Sequence, residues 1–426
     1  MAADFPETVL RYRNEAAAAS VGLEGLTDKA WVEHFGRFKP LDDNLPQPLA
    51  LRYHGHQFRH YNPDIGDGRG FLFAQMKDNQ GRYLDLGTKG SGQTPYSRRG
   101  DGRLTLLGGI REVLATSYLE YLGVNTSKSL SLIETGEALT RGDEPSPTRS
   151  SVLVRLSHSH IRFGTFQRLA FFEQTDNLEM LVDYCCRHFY PDCHSAQDLF
   201  EAVLRASADT VASWMAAGFV HGVMNTDNMN ITGESFDYGP YRFLPTLKSS
   251  HTAAYFDHQG LYAFGRQPES MYWNIAQLAQ SLSLITDDKP LIAAMEHFAG
   301  HYRERLCHHV FRRLGIERKA IEADTEFVLA TFTFLEDSQT PWPQFWHDWQ
   351  GGAQQIERAM TSPNAAFYKS EAFQDWHVKL ASYGANAPAA QGARPPSLIY
   401  EEIGALWDLI DRQDDWSAFH EKVKSF

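Results

Sequence analysis

Apolar positions recur with two different periods along this chain, and the change of period divides it into a strand-rich first half and a helix-rich second half. Residues 70–76 (GFLFAQM) and 82–89 (RYLDLGTK) flank the turn sequence Asp78-Asn79-Gln80-Gly81. That pattern predicts a β-hairpin, opened by the glycine turn Gly66-Asp67-Gly68-Arg69-Gly70. Further short apolar runs predict strands around 129–134 and 151–156. Between the hairpin and these runs, Leu106, Ile110, Val113, Leu114 and Tyr121 form a stripe at helical spacing, predicting a helix over 105–122 that Gly123 stops. A second amphipathic helix is predicted over 198–217, ending before Gly218. Beyond Ser270 the helical period dominates, with helices expected over 273–284, 292–314 and 320–334. Residues 1–50 read as a helical extension with a proline-rich connector (Pro40, Pro46, Pro48), and 384–396 as a flexible connector before a last helical pair. Strands followed by helices predict a two-lobed α+β architecture.

Composition narrows the picture. With 426 residues, 42% of them hydrophobic, the chain can bury a large core. It holds no apolar stretch long enough to span a bilayer, and MAADFPETVLRYRNE lacks the apolar segment of a secretory signal, so a cytoplasmic protein away from membranes is expected. Cys185, Cys186, Cys193 and Cys307 read as free thiols, and Cys185-Cys186 with Cys193 and His194 fits no common zinc spacing. A net charge of −13 argues against nonspecific nucleic-acid binding. The charge is uneven, however: residues 52–111 contain ten Lys/Arg against five Asp/Glu. A basic island in an acidic protein suits a pocket for a polyanion such as a nucleoside triphosphate.

The candidate chemistry centres on HGVMNTDNMNITGESFDYG, residues 221–239. Asp227 and Asn228 stand side by side, and Asp237 follows after what reads as a strand-turn-strand. Oxygen donors across such a segment suit a Mg²⁺ ion bridging nucleotide phosphates, as in the metal-holding loops of kinases. Gly66, Gly68 and Gly70 let backbone N–H groups approach phosphate, and Arg69 adds a cationic fork within that turn. Lys89 ends a predicted strand, and Glu112 lies on the small-residue face of helix 105–122, so the two can pair as strand lysine and helix glutamate. Arg155 and Arg162 suit bidentate phosphate contacts, whereas His158 and His160 between them read as structural hydrogen-bonding residues.

Several stretches then resemble one known family. YHGHQF (53–58), GDGR (66–69), TKGSGQTPYSRRGDGR (88–103), IRE (110–112), SHIRFGTF (159–166), HGVMNTDNMNI (221–231) and DYGP (237–240) resemble, in order and spacing, the motifs of the selenoprotein-O-like (SelO/YdiU) protein adenylyltransferases. The resemblance implies a protein-kinase-like, pseudokinase-type two-lobed fold with helical N- and C-terminal extensions. It divides the chain into an extension (1–50), an N-lobe-like nucleotide-binding region (51–160), a C-lobe-like catalytic region (161–285) and a helical C-terminal region (286–426). It implies transfer of AMP from ATP to Ser, Thr or Tyr hydroxyls of proteins, with Mg²⁺ or Mn²⁺ and release of pyrophosphate.

Residue by residue, Lys89 is similar to the family's phosphate lysine, Glu112 to its partner, and Arg69, Arg155 and Arg162 to the arginines that hold ATP in a flipped orientation. Gly66, Gly68, Asp101 and Gly102 match further nucleotide positions; Asp227 matches the proton acceptor, and Asn228 and Asp237 match the metal ligands. Alternatives are a UTP- and Mn²⁺-dependent uridylyltransferase, a non-catalytic nucleotide-binding pseudokinase scaffold, and a small-molecule phosphotransferase. The sequence also departs from the family: Arg59 stands where glycine usually follows GHQF, and Leu107-Gly108-Gly109 replaces a more polar run. The last cysteine is Cys307, so redox control through a cysteine- or selenocysteine-containing tail is not expected.

Overall fold

The computed structural model describes residues 2–142, 144–392 and 394–426. The first element is a strand, β1 (Val9–Arg13), followed by α1 (Glu15–Ser20) and α2 (Asp28–Phe35). Asn14 and Thr27 cap these two helices, accepting from the backbone N–H groups of Ala17 and Ala30. The N-terminal fifty residues, expected to be helical, thus also contribute a sheet strand. A small hairpin, β2 (Gly55–Gln57) and β3 (His60–Asn62), stands apart from the main sheet.

The hairpin foreseen around residues 78–81 forms as β4 (Gly70–Lys77) and β5 (Tyr83–Lys89), with Gly81 in the left-handed conformation its turn needs (φ 79°). After β6 (Leu104–Thr105) come α3 (Leu106–Tyr121), β7 (Lys128–Leu139) and β8 (Thr148–Ser157). The sheet runs β1-β7-β8-β5-β4, all antiparallel, with β6 added to β8. Its two faces follow the strand period. Leu132 and Leu153 share a core with α3, whereas Ile133, Val152 and Val154 share one with Trp31 and Phe35 of α2. The small face of α3 is what admits this packing: a Cβ on Gly109 would meet Leu132 Cδ1 at 2.3 Å and Ser151 Oγ at 2.7 Å. Of the predicted stripe, Leu106, Ile110, Val113 and Leu114 are buried, while Tyr121 is exposed.

The helical half begins with α4 (Phe163–Phe171), α5 (Thr175–Phe189) and α6 (Ala196–Ala217). Gly218, left-handed at φ 70°, ends α6. Two short strands, β9 (Phe219–Val220) and β10 (Arg242–Phe243), bracket the loop that holds the candidate site. Then follow α7 (Gln267–Leu282), α8 (Asp288–Glu296), α9 (Phe298–Leu314), α10 (Ile321–Ser338), α11 (Trp342–Trp349), α12 (Ile356–Ala359), α13 (Glu371–Leu380), α14 (Tyr400–Gln413) and α15 (Ser417–Lys424). The helix expected over 292–314 is two helices parted at His297, and both pack on α6.

Residues 384–396 are not a loose connector. Asn386 donates its backbone N–H to Gly315 O (2.9 Å), Arg358 donates to Ala390 O (2.7 Å), and Tyr118 donates to Pro396 O (3.2 Å). Ala393, within this stretch, lies outside the described residues. The last helical pair then returns to the sheet, where Asp414 pairs with Arg11 and Arg149.

Candidate active site

A cleft of about 700 Å³ lies between the β4–β5 end of the sheet and the loops after β9. Gly66, Gly68, Arg69, Lys89, Asp101, Gly102, Arg155, Arg162, Asp227, Asn228 and Asp237 all line it. Glu112 stands behind Lys89, buried on α3, and its Oε1 accepts from the lysine ammonium in a short ion pair. Arg111, the neighbouring residue, does not pair with Glu112. It reaches outward and donates to the carbonyls of Gly239 and Tyr241 (3.2 Å each), tying α3 to the segment that carries Asp237.

Cations from three elements converge on Asp237. Its Oδ1 takes Lys89 Nζ from β5 (3.2 Å) and Arg155 Nη1 from β8 (2.9 Å), and its Oδ2 takes Arg162 Nη1 (2.9 Å). The same Arg162 nitrogen donates to the backbone carbonyl of Asp227 at 2.8 Å, so one guanidinium joins the two carboxylate-bearing segments. Arg162 is buried between the rings of Tyr53 (4.5 Å) and Phe236 (4.8 Å). Burial alone would raise the Asp237 pKa, but Arg155, Lys89 and Arg162 hold it well below the usual carboxylate range. Asp237 adopts a left-handed backbone (φ 61°), which aspartate tolerates better than most residues.

Asp227 is held differently. It sits in a single 3-10 turn, Thr226–Asn228, between two buried anchors. His221, which burial keeps neutral by lowering its pKa to about 4, lies 3.3 Å from the Phe236 carbonyl. Gln267 accepts from the His221 N–H at 2.9 Å, and Asn274 donates to Met224 O at 2.8 Å, so α7 fixes the loop from below. Asp227 Oδ1 is buried without a hydrogen-bond partner. Burial pushes the Asp227 carboxyl up to about 6, against the pull of Arg162. Asn228 donates its amide nitrogen to Val223 O (2.9 Å), leaving the amide oxygen as its free donor atom toward a cation.

Residues 229–236 do not form the expected strand-turn-strand. Asn230 bridges to Arg162 and Ser235 to Thr126, so each limb pairs with a different neighbour. The turn between them is closed locally, with Asn230 Oδ1 accepting from Thr232 N–H (3.1 Å) and Thr232 Oγ1 (3.0 Å). His158 and His160 make structural hydrogen bonds: their backbone N–H groups donate to Glu234 (3.0 Å) and Asp85 (2.9 Å).

The glycine turn has an additional steric role. A Cβ on Gly66 would lie 2.5 Å from the Tyr96 ring, and one on Gly102 would lie 2.3 Å from Gly92 backbone atoms. The turn is therefore packed against the loop of residues 96–103, which lines the cleft. Asp101 does not point free into the cleft but pairs with Arg141 at 2.8 Å. That loop also brings Arg98 and Arg99 to the lining; the count of basic residues over 52–111 included them without singling them out.

Sequence reasoning also missed how the β2–β3 hairpin clamps the Asp227 loop. His56 N–H donates to Thr226 Oγ1 (2.7 Å), Phe58 N–H donates to Asn225 Oδ1 (3.0 Å), and a Cβ on Gly55 would lie 2.9 Å from Asp227 Oδ1. The only signal was the run YHGHQF, which carries no periodicity of its own.

A protein-family model described as protein adenylyltransferase SelO matches residues 1–426. The chain belongs to the SelO family. It is 42% identical to the protein nucleotidyltransferase YdiU of Trichormus variabilis, over 100% of this chain and 91% of that one. It is 43% identical to the Synechocystis protein of the same name (99% and 93% covered), and 36% identical to that of Pseudomonas aeruginosa (87% and 76% covered). As a SelO-family member the chain is an enzyme, a nucleotidyltransferase.

Among the described residues no three His, Cys, Asp or Glu side chains converge as a closed metal cage. Asp237 and the amide oxygen of Asn228 nevertheless present hard oxygen donors to one cleft. Such an open, oxygen-only set fits a hard divalent cation such as Mg²⁺ or Mn²⁺.

Proposed function

We propose that this enzyme transfers AMP from ATP to a Ser, Thr or Tyr hydroxyl of a protein and releases pyrophosphate, on a kinase-like two-lobed scaffold. The observation that carries this reading is the convergence of Lys89, Arg155 and Arg162 on one carboxylate beside a second, unpaired one. The clustered cations suit a polyphosphate and the charge that grows on a leaving pyrophosphate. Asp227, with a free buried oxygen and a raised pKa, suits the acceptor of the hydroxyl proton. In the balanced step the acceptor oxygen bonds to the α-phosphorus, the bond from that phosphorus to the bridging oxygen breaks, and the proton passes to Asp227.

A bound Mg²⁺ or Mn²⁺ would supply charge neutralisation across the phosphates. Asn228 and Asp237 would hold it, while Arg69 and the Gly66–Gly68 turn would steady the nucleotide from the sheet side. The N-terminal sheet with α3 would form the nucleotide-binding lobe, and the helices around α6 the lobe that carries Asp227.

Incubation with ATP labelled at the α- or the γ-phosphate tests the reading. Label is expected on protein from α-labelled ATP only. Label from the γ position alone would make the enzyme a kinase. Label from α-labelled UTP with Mn²⁺, and none from ATP, would make it a uridylyltransferase. Nucleotide binding with no transfer from any of these would leave a scaffold.

A further inference from the structure

A second groove lies on the far side of the β2–β3 hairpin. Strand alternation puts Gln57 in the wall of the nucleotide cleft and its neighbour His56 in the wall of this groove. The groove measures about 450 Å³, and its lining includes Tyr61, Phe171, Gln277, Gln280 and Leu284. The two hollows differ in chemistry. Eight Lys or Arg residues line the nucleotide cleft, whereas no Asp, Glu, Lys or Arg is among the described residues lining the groove. Burial lowers the pKa of His56, which keeps that ring neutral as well.

The groove also carries an exposed apolar surface. Phe171 is 53% exposed and Leu284 44%, and Phe172 beside them is 49% exposed. Tyr61 stacks on Phe171 at 5.5 Å and holds it in place. A short hydrogen-bonded chain joins this surface to the reaction centre. Gln167 donates to His56 Nδ1 at 2.8 Å and accepts from Thr226 Oγ1 at 2.6 Å, and Thr226 immediately precedes Asp227. Groove wall and Asp227 turn are therefore joined through Gln167.

We infer that this groove docks an extended segment of the acceptor polypeptide, seating an apolar side chain against Phe171 and Leu284 while the acceptor hydroxyl reaches Asp227 across the hairpin. The inference rests on a protein hydroxyl being the acceptor. An uncharged lining offers nothing to a phosphate. Glutamine amides suit the backbone of an extended chain, and an aromatic floor suits one large side chain. Anchoring remote from the reacting oxygen is how a transferase can hold a small hydroxyl in line with phosphorus.

The test uses short peptides, each with one central Tyr, Ser or Thr and otherwise randomised, selected for binding to the immobilised full chain. Enrichment of Leu, Met or Phe at one fixed offset from the hydroxyl is expected. For an enriched peptide, Phe171→Ser with Leu284→Ser should weaken binding about tenfold, the worth of one partly buried apolar side chain. Both residues are exposed, so the double variant keeps its fold, and calorimetry with ATP should give an unchanged affinity. No positional enrichment, enrichment of charged residues instead, or equal peptide affinity in the double variant overturns the inference. So does binding of neutral phosphatidylcholine vesicles that the double variant loses, which would assign the groove to lipid. Because peptide binding is read without transfer, failure of every labelled nucleotide to modify protein counts against the proposed reaction and is distinguishable from failure of the groove.

Discussion

Asp237 and Asp227 line one cleft, yet their surroundings differ in kind. The wall around Asp237 is built from the sheet: β5 and β8 deliver Lys89 and Arg155, and the chain just past β8 delivers Arg162, so the carboxylate is surrounded by positive charge. The loop around Asp227 is built from the helical half and clamped by the β2–β3 hairpin. There the side chain is buried, and one oxygen has no partner. The same residue type is thus held ionised in one place and pushed toward protonation in the other. Neighbours set that difference, not the residue itself, and under the proposed reaction it would separate a group that organises charge from one that moves a proton.

Substitutions can break that contrast. Asp237→Ala should have the largest effect, because it leaves Arg155 and Arg162 without their carboxylate and Lys89 with Glu112 alone: a loss of about 3–5 kcal/mol of stability and of measurable nucleotide–metal binding. Denaturant unfolding and calorimetry check both. Asp227→Asn should keep nucleotide affinity and stability while transfer falls about 10²–10⁴-fold, the usual worth of a general base. Equal loss of nucleotide affinity in the two variants would refute the division of roles.

A third carboxylate sharpens the comparison. Glu234 is buried behind the Asp227 loop with no salt-bridged Lys or Arg among the described residues, accepting from His158 N–H, and burial raises its pKa to about 8. A carboxyl whose folded pKa is raised stabilises the fold while protonated and loses that contribution as pH climbs from its unfolded value to its folded one. Stability should therefore fall between pH 5 and 8 by on the order of 3 kcal/mol through this group, and Glu234→Gln should flatten the curve. Thermal unfolding across that pH range gives the answer.

Smaller effects probe the clamp. Gly55→Ala puts a methyl against Asp227 and should slow transfer about 10–100-fold at constant nucleotide affinity, through displacement of the carboxylate. Arg59 ends the hairpin turn at φ 65° and pairs with Glu269 near the surface. Arg59→Gly should stabilise by about 0.5 kcal/mol, the relief of left-handed strain slightly outweighing a weak ion pair. A Tm difference in the opposite direction would mean that the arginine's packing on Trp273 matters more than its backbone.

Much of this arrangement was legible in the sequence, because turn chemistry and periodicity act over a few residues. The β4–β5 hairpin with its Gly81 turn, the α3 helix stopped by Gly123 and the α6 helix ended by Gly218 all follow from local rules. The residues of the cleft were legible too, through glycines, arginines and paired Asp and Asn whose chemistry narrows their use. The missed features share another cause. Strand β1 finds its partner more than a hundred residues away, and residues 229–236 pair with 162 and 126 rather than with each other. A backbone edge takes whichever partner packing brings to it, and no local pattern reports that choice.

The sequence by itself therefore determined the donor set and the elements that present it. Tertiary structure decided which aspartate receives the cations, which keeps a free oxygen, and which hairpin face meets the cleft. The reason is range: dihedral preference and side-chain period are written into neighbouring residues, whereas burial and electrostatic surroundings exist only once distant elements have packed.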